Sequence, residues 1–184
     1  MKLVWMVLFA LPLISLTACG DDDEDNDLFK DYSYLINKTR DDVKKNLGVA
    51  PAEEDLESLV YENIQPNIPT LIAWFTLWEE NETGLVTYEK VQMVDVELKG
   101  LSYSEVYNHL TDLYGKAELD DYDDMRWEKS GKYIWLDQDG SELWVTYADK
   151  KAWDKAEEAY YKPAARSAES VSPKAAHRAA RATR

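Results

Sequence analysis

The chain has 184 residues, a formal net charge of −15 and one cysteine. That acidity disfavours nucleic acid and anionic lipid surfaces as partners, since both are negative, and suits solubility or a basic partner. One cysteine permits no disulfide within the chain and supplies no thiolate set for zinc.

The first element is an apolar run from Leu3 to Leu16, preceded by a single charge at Lys2. It falls short of the about 20 apolar residues that span a bilayer and has the form of a secretory signal. Leu16-Thr17-Ala18-Cys19 and Gly20 follow. This stretch resembles the lipobox of bacterial lipoproteins: leucine, small residues, cysteine. The resemblance implies a signal peptide over 1–18, cleavage before Cys19, a diacylglycerol on the Cys19 thiol and a further acyl chain, such as palmitate, on the new amine. Each buried acyl CH₂ contributes about 0.8 kcal/mol, and more than one chain makes anchoring stable. Residues 19–27 are an acidic spacer, whose like charges keep it solvated. Such a spacer also resembles the surface-export signals of lipoproteins from Bacteroides-like bacteria. It is similar to the inner-membrane retention signals of other Gram-negative lineages too, although there an aspartate directly follows the cysteine and here Gly20 does. The expected address is the cell envelope, at the outer membrane or cell surface rather than the inner membrane.

Residues 28–162 read as globular, in two stretches. In the first, 28–99, Thr39 is a hydroxyl N-cap with Asp42 three residues on, followed by Val43 and Leu47, and Gly48 is a helix stop. In the second, 100–162, Ser102 and Glu105 form the same pattern as a full capping box, with Val106, Leu110 and Leu113 at helical spacing and Gly115 as the stop. Strands are expected over Leu59–Asn63, Leu71–Glu79 and Leu85–Leu98, then over Met125–Glu128, Lys132–Asp137 and Glu142–Tyr147. Val94, Val96 and Leu98 alternate with charged residues, the mark of a half-buried strand. Asp139-Gly140 is a hairpin signal with positive φ at both central residues. Ala152–Tyr161 reads as a closing helix with Trp153, Ala156 and Tyr160 on one side. Residues 163–184 are rich in alanine and serine, carry Arg166, Lys174, Arg178, Arg181 and Arg184, and read as a disordered basic tail.

The expected fold class is therefore α+β, with two tandem units of a helix followed by a three-stranded antiparallel sheet. Thr39-Arg40-Asp41-Asp42-Val43, Leu47-Gly48-Val49-Ala50-Pro51 and Tyr61 carry a resemblance, together with Ser102–Val106, Leu110, Gly115 and Trp127. They are similar to the β-lactamase-inhibitor-protein fold and to the small lipoprotein of the outer-membrane β-barrel assembly machinery. The latter has one unit, and no inhibitor loop is recognisable here. For function the resemblance implies a class, the binding of a protein partner.

Several strands are apolar on both faces. Ile72, Trp74, Thr76 and Trp78 oppose Leu71, Ala73, Phe75 and Leu77, while Tyr133 and Trp135 oppose Ile134 and Leu136. Trp144 opposes Leu143 and Val145. One face packs on the helices. The other is either covered, by the closing helix, or left as an aromatic platform. On the platform reading, Trp74, Trp78, Tyr133, Trp135 and Trp144 are the partner-binding candidates, since tryptophan and tyrosine are favoured anchors.

Catalytic signatures are missing. His109 lies in a helix, where it reads as a surface histidine, and His177 lies in the tail; neither has a metal-ligand partner nearby. There is no Gly-rich phosphate loop, nucleophile elbow or His-Glu-x-x-His. Asp120–Asp124 reads as a solvated loop, and Asp137–Glu142 has the wrong spacing for an EF-hand. No metal, cofactor or catalytic residue is expected. The working reading is a non-enzymatic envelope lipoprotein, bound to the bilayer through acylated Cys19, whose domain binds a protein partner as an assembly, inhibitor or accessory factor. The alternatives are an immunity-type lipoprotein against a basic toxin, a surface glycan-binding lipoprotein, and an enzyme using a carboxylate pair.

Overall fold

The structure, a computed structural model, describes residues 28–81, 84–120 and 124–161. The signal peptide, Cys19, the acidic spacer and the basic tail expected above lie outside the described residues.

The domain opens with a segment that sequence patterning missed. Phe29, Tyr32 and Leu35, spaced by threes, are buried around a short 3₁₀ turn, Ser33–Leu35. Helix α1 (Arg40–Leu47) follows, started by Thr39, whose hydroxyl accepts from the Asp42 N–H, and stopped by Gly48 at φ 70°. Helix α2 (Tyr103–Tyr114) has the complete Ser102–Glu105 capping box. These starts follow from local sequence because each cap satisfies backbone donors that have no partner in the first turn.

The strands are β1 (Glu53–Glu54), β2 (Ser58–Gln65), β3 (Ile68–Trp74), β4 (Thr76–Asn81), β5 (Gly84–Thr87) and β6 (Met93–Leu98). After α2 come β7 (Glu118–Leu119), β8 (Met125–Lys129), β9 (Lys132–Asp139), β10 (Glu142–Asp149) and the closing helix α3 (Lys150–Tyr161). Eight of them form a single antiparallel sheet in the order β1-β2-β3-β6-β10-β9-β8-β7, and β4 and β5 form a separate hairpin.

This overturns the expectation of two tandem units, each a helix and a three-stranded sheet. Strand β6 pairs with β3 on one side, and with β10 on the other from Leu143↔Leu98 to Ala148↔Met93. Two separate sheets would each leave an inner edge of unpaired backbone donors and acceptors next to Val94, Val96 and Val145, which are fully buried. Joining those edges satisfies both. The outer edges, β1 and β7, are two residues long and largely acidic, a form that discourages pairing with another chain.

Two expected strands are broken. Leu71–Glu79 divides at Phe75, whose N–H donates to Glu57 O at 2.7 Å and whose carbonyl accepts from Tyr88 N at 2.6 Å. The chain thus leaves the main sheet at Phe75 and enters the β4–β5 hairpin. Likewise Leu85–Leu98 divides into β5 and β6. The β9–β10 turn is shifted by one residue from expectation: Asp139 pairs with Glu142, so Gly140 and Ser141 are central. Of these two only Gly140 has positive φ, at 60°, as a type II′ turn requires of its first central residue.

Candidate functional site at the lysine-rimmed end

The sheet has two buried faces. One packs on the N-terminal segment, α1 and α2 through Leu71, Val94, Val96, Val145 and Tyr147. The other carries Val60, Ile72, Trp74, Met93, Tyr133, Trp135 and Ala148, and is covered by Trp153 of α3 and Leu77 of β4. The Trp135 and Trp153 rings lie 4.7 Å apart, centre to centre.

The four aromatic candidates whose side chains are described are under cover. Trp74 and Trp135 are 3% exposed, Tyr133 5% and Trp144 6%. The structure gathers Trp74, Tyr133 and Trp135 into one cluster, and Trp144 lies outside it. Trp78 belongs to β4, and its side chain is outside the described residues. Three indole N–H groups of the sheet strands meet carboxylates, whereas that of Trp153, in α3, is buried without a hydrogen-bond partner among the described residues. Trp74 Nε1 donates to Asp95 Oδ2 at 2.8 Å, Trp135 Nε1 to Asp120 Oδ2 at 2.9 Å, and Trp144 Nε1 to Glu142 Oε2 at 3.2 Å. Asp95 is fully buried and also accepts from Thr146 Oγ1 at 2.7 Å, a pairing that keeps its charge tolerable at the centre of the sheet. Asp120 ties its loop by accepting from the Asp124 N–H, so part of the acidic loop is structured; residues 121–123 are outside the described residues.

His109 is half-buried rather than on the open surface, with its ring 4.8 Å from that of Phe29. Among the described residues no group of three or more His, Cys, Asp or Glu side chains has metal-binding geometry. Two carboxylates, Asp42 and Glu105, are held below the usual carboxylate range, each mainly by the hydroxyl of its N-cap residue.

Two concavities among the described residues flank the β8–β9 turn, at one end of the sheet. Lys129 pairs with Lys132, leaving Ser130 (φ 53°) and Gly131 (φ 74°) as the central residues of a type I′ turn. On one side of this turn a cavity of about 180 Å³ is lined by Asp31, Ser33, Leu113, Tyr114, Lys129 and Lys132, with Ser130 and Ile134 completing its wall. On the other side an open groove of about 360 Å³ is lined by Gly131, Lys150, Lys151, Asp154, Lys155 and Glu158.

The two sides differ in how their charge is used. In the groove Lys150 donates to Asp154 Oδ2 at 3.0 Å and to the Tyr133 hydroxyl, and lies 3.6 Å from Glu128. Tyr133 is gripped between Lys150 and Arg126, 4.3 and 4.6 Å from its ring centre. The Tyr133 bond, followed by Asp154, holds Lys150 above its ordinary range. In the cavity, by contrast, neither Lys129 nor Lys132 is within ion-pair distance of a carboxylate among the described residues. Lys129 donates to Leu113 O at the end of α2, and Lys132 to Ser33 Oγ at 3.4 Å. Asp31 is occupied by Ser33, accepting from its N–H at 2.7 Å and its hydroxyl at 3.2 Å. Sequence reasoning missed this assembly because its residues are scattered; the local signal was the Ser-Gly turn between two lysines.

The first described residue, Leu28, lies at the opposite end of the strands. Leu28 O accepts from Asn67 Nδ2 at 2.8 Å at the β2–β3 turn, whereas Asn37 and Lys38 bond to Val91 beside the start of β6. The N-terminal segment therefore crosses the sheet from the end of the β2–β3 turn to the lysine end.

Compared with known proteins, the chain matches no family model, no curated protein and no solved structure.

Proposed function

We propose that the chain is an envelope lipoprotein, anchored through acylated Cys19 at the outer membrane or cell surface, whose domain binds a protein partner as an assembly, inhibitor or accessory factor and catalyses no reaction. One observation carries the partner reading. Five lysines, Lys129, Lys132, Lys150, Lys151 and Lys155, surround two adjoining concavities in a chain of net charge −15. Concentrating cations at one end of an acidic body gives a partner both a steering field and an orientation. Burial of Trp74, Tyr133, Trp135 and Trp144 leaves a glycan no stacking surface on those residues. The anchor rests on the Leu16–Cys19 motif and the acidic spacer. No helix among the described residues is long and apolar enough to cross a membrane.

The test is capture from envelope extract by the full chain carrying Cys19→Ser, beside the same chain with Lys129→Glu and Lys132→Glu. A partner held by the first and lost by the second, still folded, supports the reading; no capture by either removes it. The net charge favours a second reading, neutralisation of a basic toxin, which predicts a cationic partner bound equally or better by the double variant. Metabolic labelling with a fatty acid tests the anchor: label that survives Cys19→Ser would refute acylation there.

A further inference from the structure

The cavity beside the β8–β9 turn contains more hydrogen-bonding capacity than the protein itself uses. Tyr114 lines it, and its hydroxyl is buried with no hydrogen-bond partner among the described residues. Tyr147, fully buried, places a second unsatisfied hydroxyl beside it. Asp31, Ser33 and Tyr147 all stand close to the Tyr114 hydroxyl, and the Tyr32 backbone to that of Tyr147, but none completes the geometry of a hydrogen bond with it. Leaving a buried hydroxyl unpaired is costly, so two adjoining ones next to a cavity call for an acceptor.

Charge identifies the acceptor. Two ammonium groups face one carboxylate, Asp31, whose oxygens already accept from Ser33. The lining thus carries one positive charge in excess, and a monoanion neutralises it. A dianion such as phosphate would leave a net negative site in a chain already at −15. Size agrees: about 180 Å³ holds roughly six waters at about 30 Å³ each, the room needed by a small carboxylic acid or an acidic side chain.

We propose that this cavity is a carboxylate-binding site, in which Lys129 and Lys132 supply the opposing charge, the Tyr114 hydroxyl donates to one carboxylate oxygen, and Tyr147 supports Tyr114 from behind. The carboxylate belongs either to a free small acid or to an acidic side chain or chain terminus of a protein partner. The second assignment rests on the partner reading above.

The experiment titrates the full Cys19→Ser chain with propionate, propionamide and inorganic phosphate at constant ionic strength and about pH 8, where phosphate is mainly the dianion and the lysines remain charged, followed by calorimetry. Propionate is expected to bind saturably and propionamide not at all. Lys132→Gln should weaken propionate about tenfold or more, the effect of removing one charge-assisted bond. Tyr114→Phe should weaken it severalfold with unchanged thermal midpoint, the readout that separates lost binding from lost folding. Equal responses to propionate and propionamide overturn the proposal, as does undiminished affinity in Lys132→Gln. Phosphate binding tighter than propionate overturns the assigned ligand class. The partner assignment is read by capture with Lys129→Gln, Lys132→Gln. Loss of both propionate and partner supports it. Loss of propionate with the partner retained overturns it while leaving the partner reading intact. If the parent captures nothing, the partner reading fails, and the titration alone decides the site.

Discussion

Ser130 and Gly131 carry left-handed backbone at the turn that walls the cavity. A Cβ at Gly131 would meet nothing within 4 Å, so Gly131→Ala tests conformation alone. Its expected cost is about 1–2 kcal/mol in chemical denaturation, with loosening of the Lys129–Lys132 pair. Asp95 is a second informative residue. Asp95→Ala strands Trp74 Nε1 and Thr146 Oγ1 in the covered face, and the expected loss is about 2–4 kcal/mol. Trp74→Ala and Trp135→Ala likewise report on stability rather than on an open surface, since both indoles are core. The tyrosines set the alkaline limit. Burial pushes Tyr32 and Tyr61 up to about 12. Their folded state therefore holds protons that the unfolded chain releases near 10, so this contribution is complete below pH 10 and is lost as pH rises toward 12. Stability measured by urea unfolding should fall across that window; a flat profile through pH 11.5 would contradict the burial of these phenols.

The two helices α1 and α2 were legible because a cap is a local bargain between a hydroxyl, a carboxylate and a few backbone N–H groups. The strands were less so. Leu71–Glu79 looks continuous in sequence, and only the backbone bonds from Glu57 and Tyr88, distant in the chain, show why it divides at Phe75. Both-face apolarity was legible in Leu71–Trp74, β9 and β10, which all lie inside the sheet, but could not say whether a second layer covers them. Helix α3 answers that. Asp149 starts it, accepting from the Ala152 N–H at 2.9 Å, and Trp153 then reaches Trp135. Trp153→Ala should cost about 3–5 kcal/mol by opening a cavity between α3 and the sheet. Solvent quenching of tryptophan fluorescence should rise in that variant; an unchanged quenching constant would mean that α3 does not seal the face.

At the scale of the whole molecule, the continuous sheet was illegible because the β6–β10 ladder joins residues such as Asp95 and Thr146, 51 positions apart. The cavity was illegible for the same reason, since it draws on the N-terminal segment, the end of α2 and the β8–β9 turn. One sheet also implies one cooperative unit. Amide exchange should be slowest in β3, β6, β10 and β9 and fastest in β1 and β7, with a single unfolding transition. Two separable transitions would instead favour independently stable halves.

The N-terminal segment has a mechanical consequence. In a chain held at Cys19, any pull on the body enters at Leu28, where the Asn67 amide clamps the backbone. The segment beyond runs the length of the sheet to the far end, so the load acts along it rather than across it. Phe29, Tyr32 and Leu35 must then slide out of the core together instead of peeling away in turn. A domain strapped in this way resists a pull through Leu28 in shear, and its lysine end faces away from the point of load.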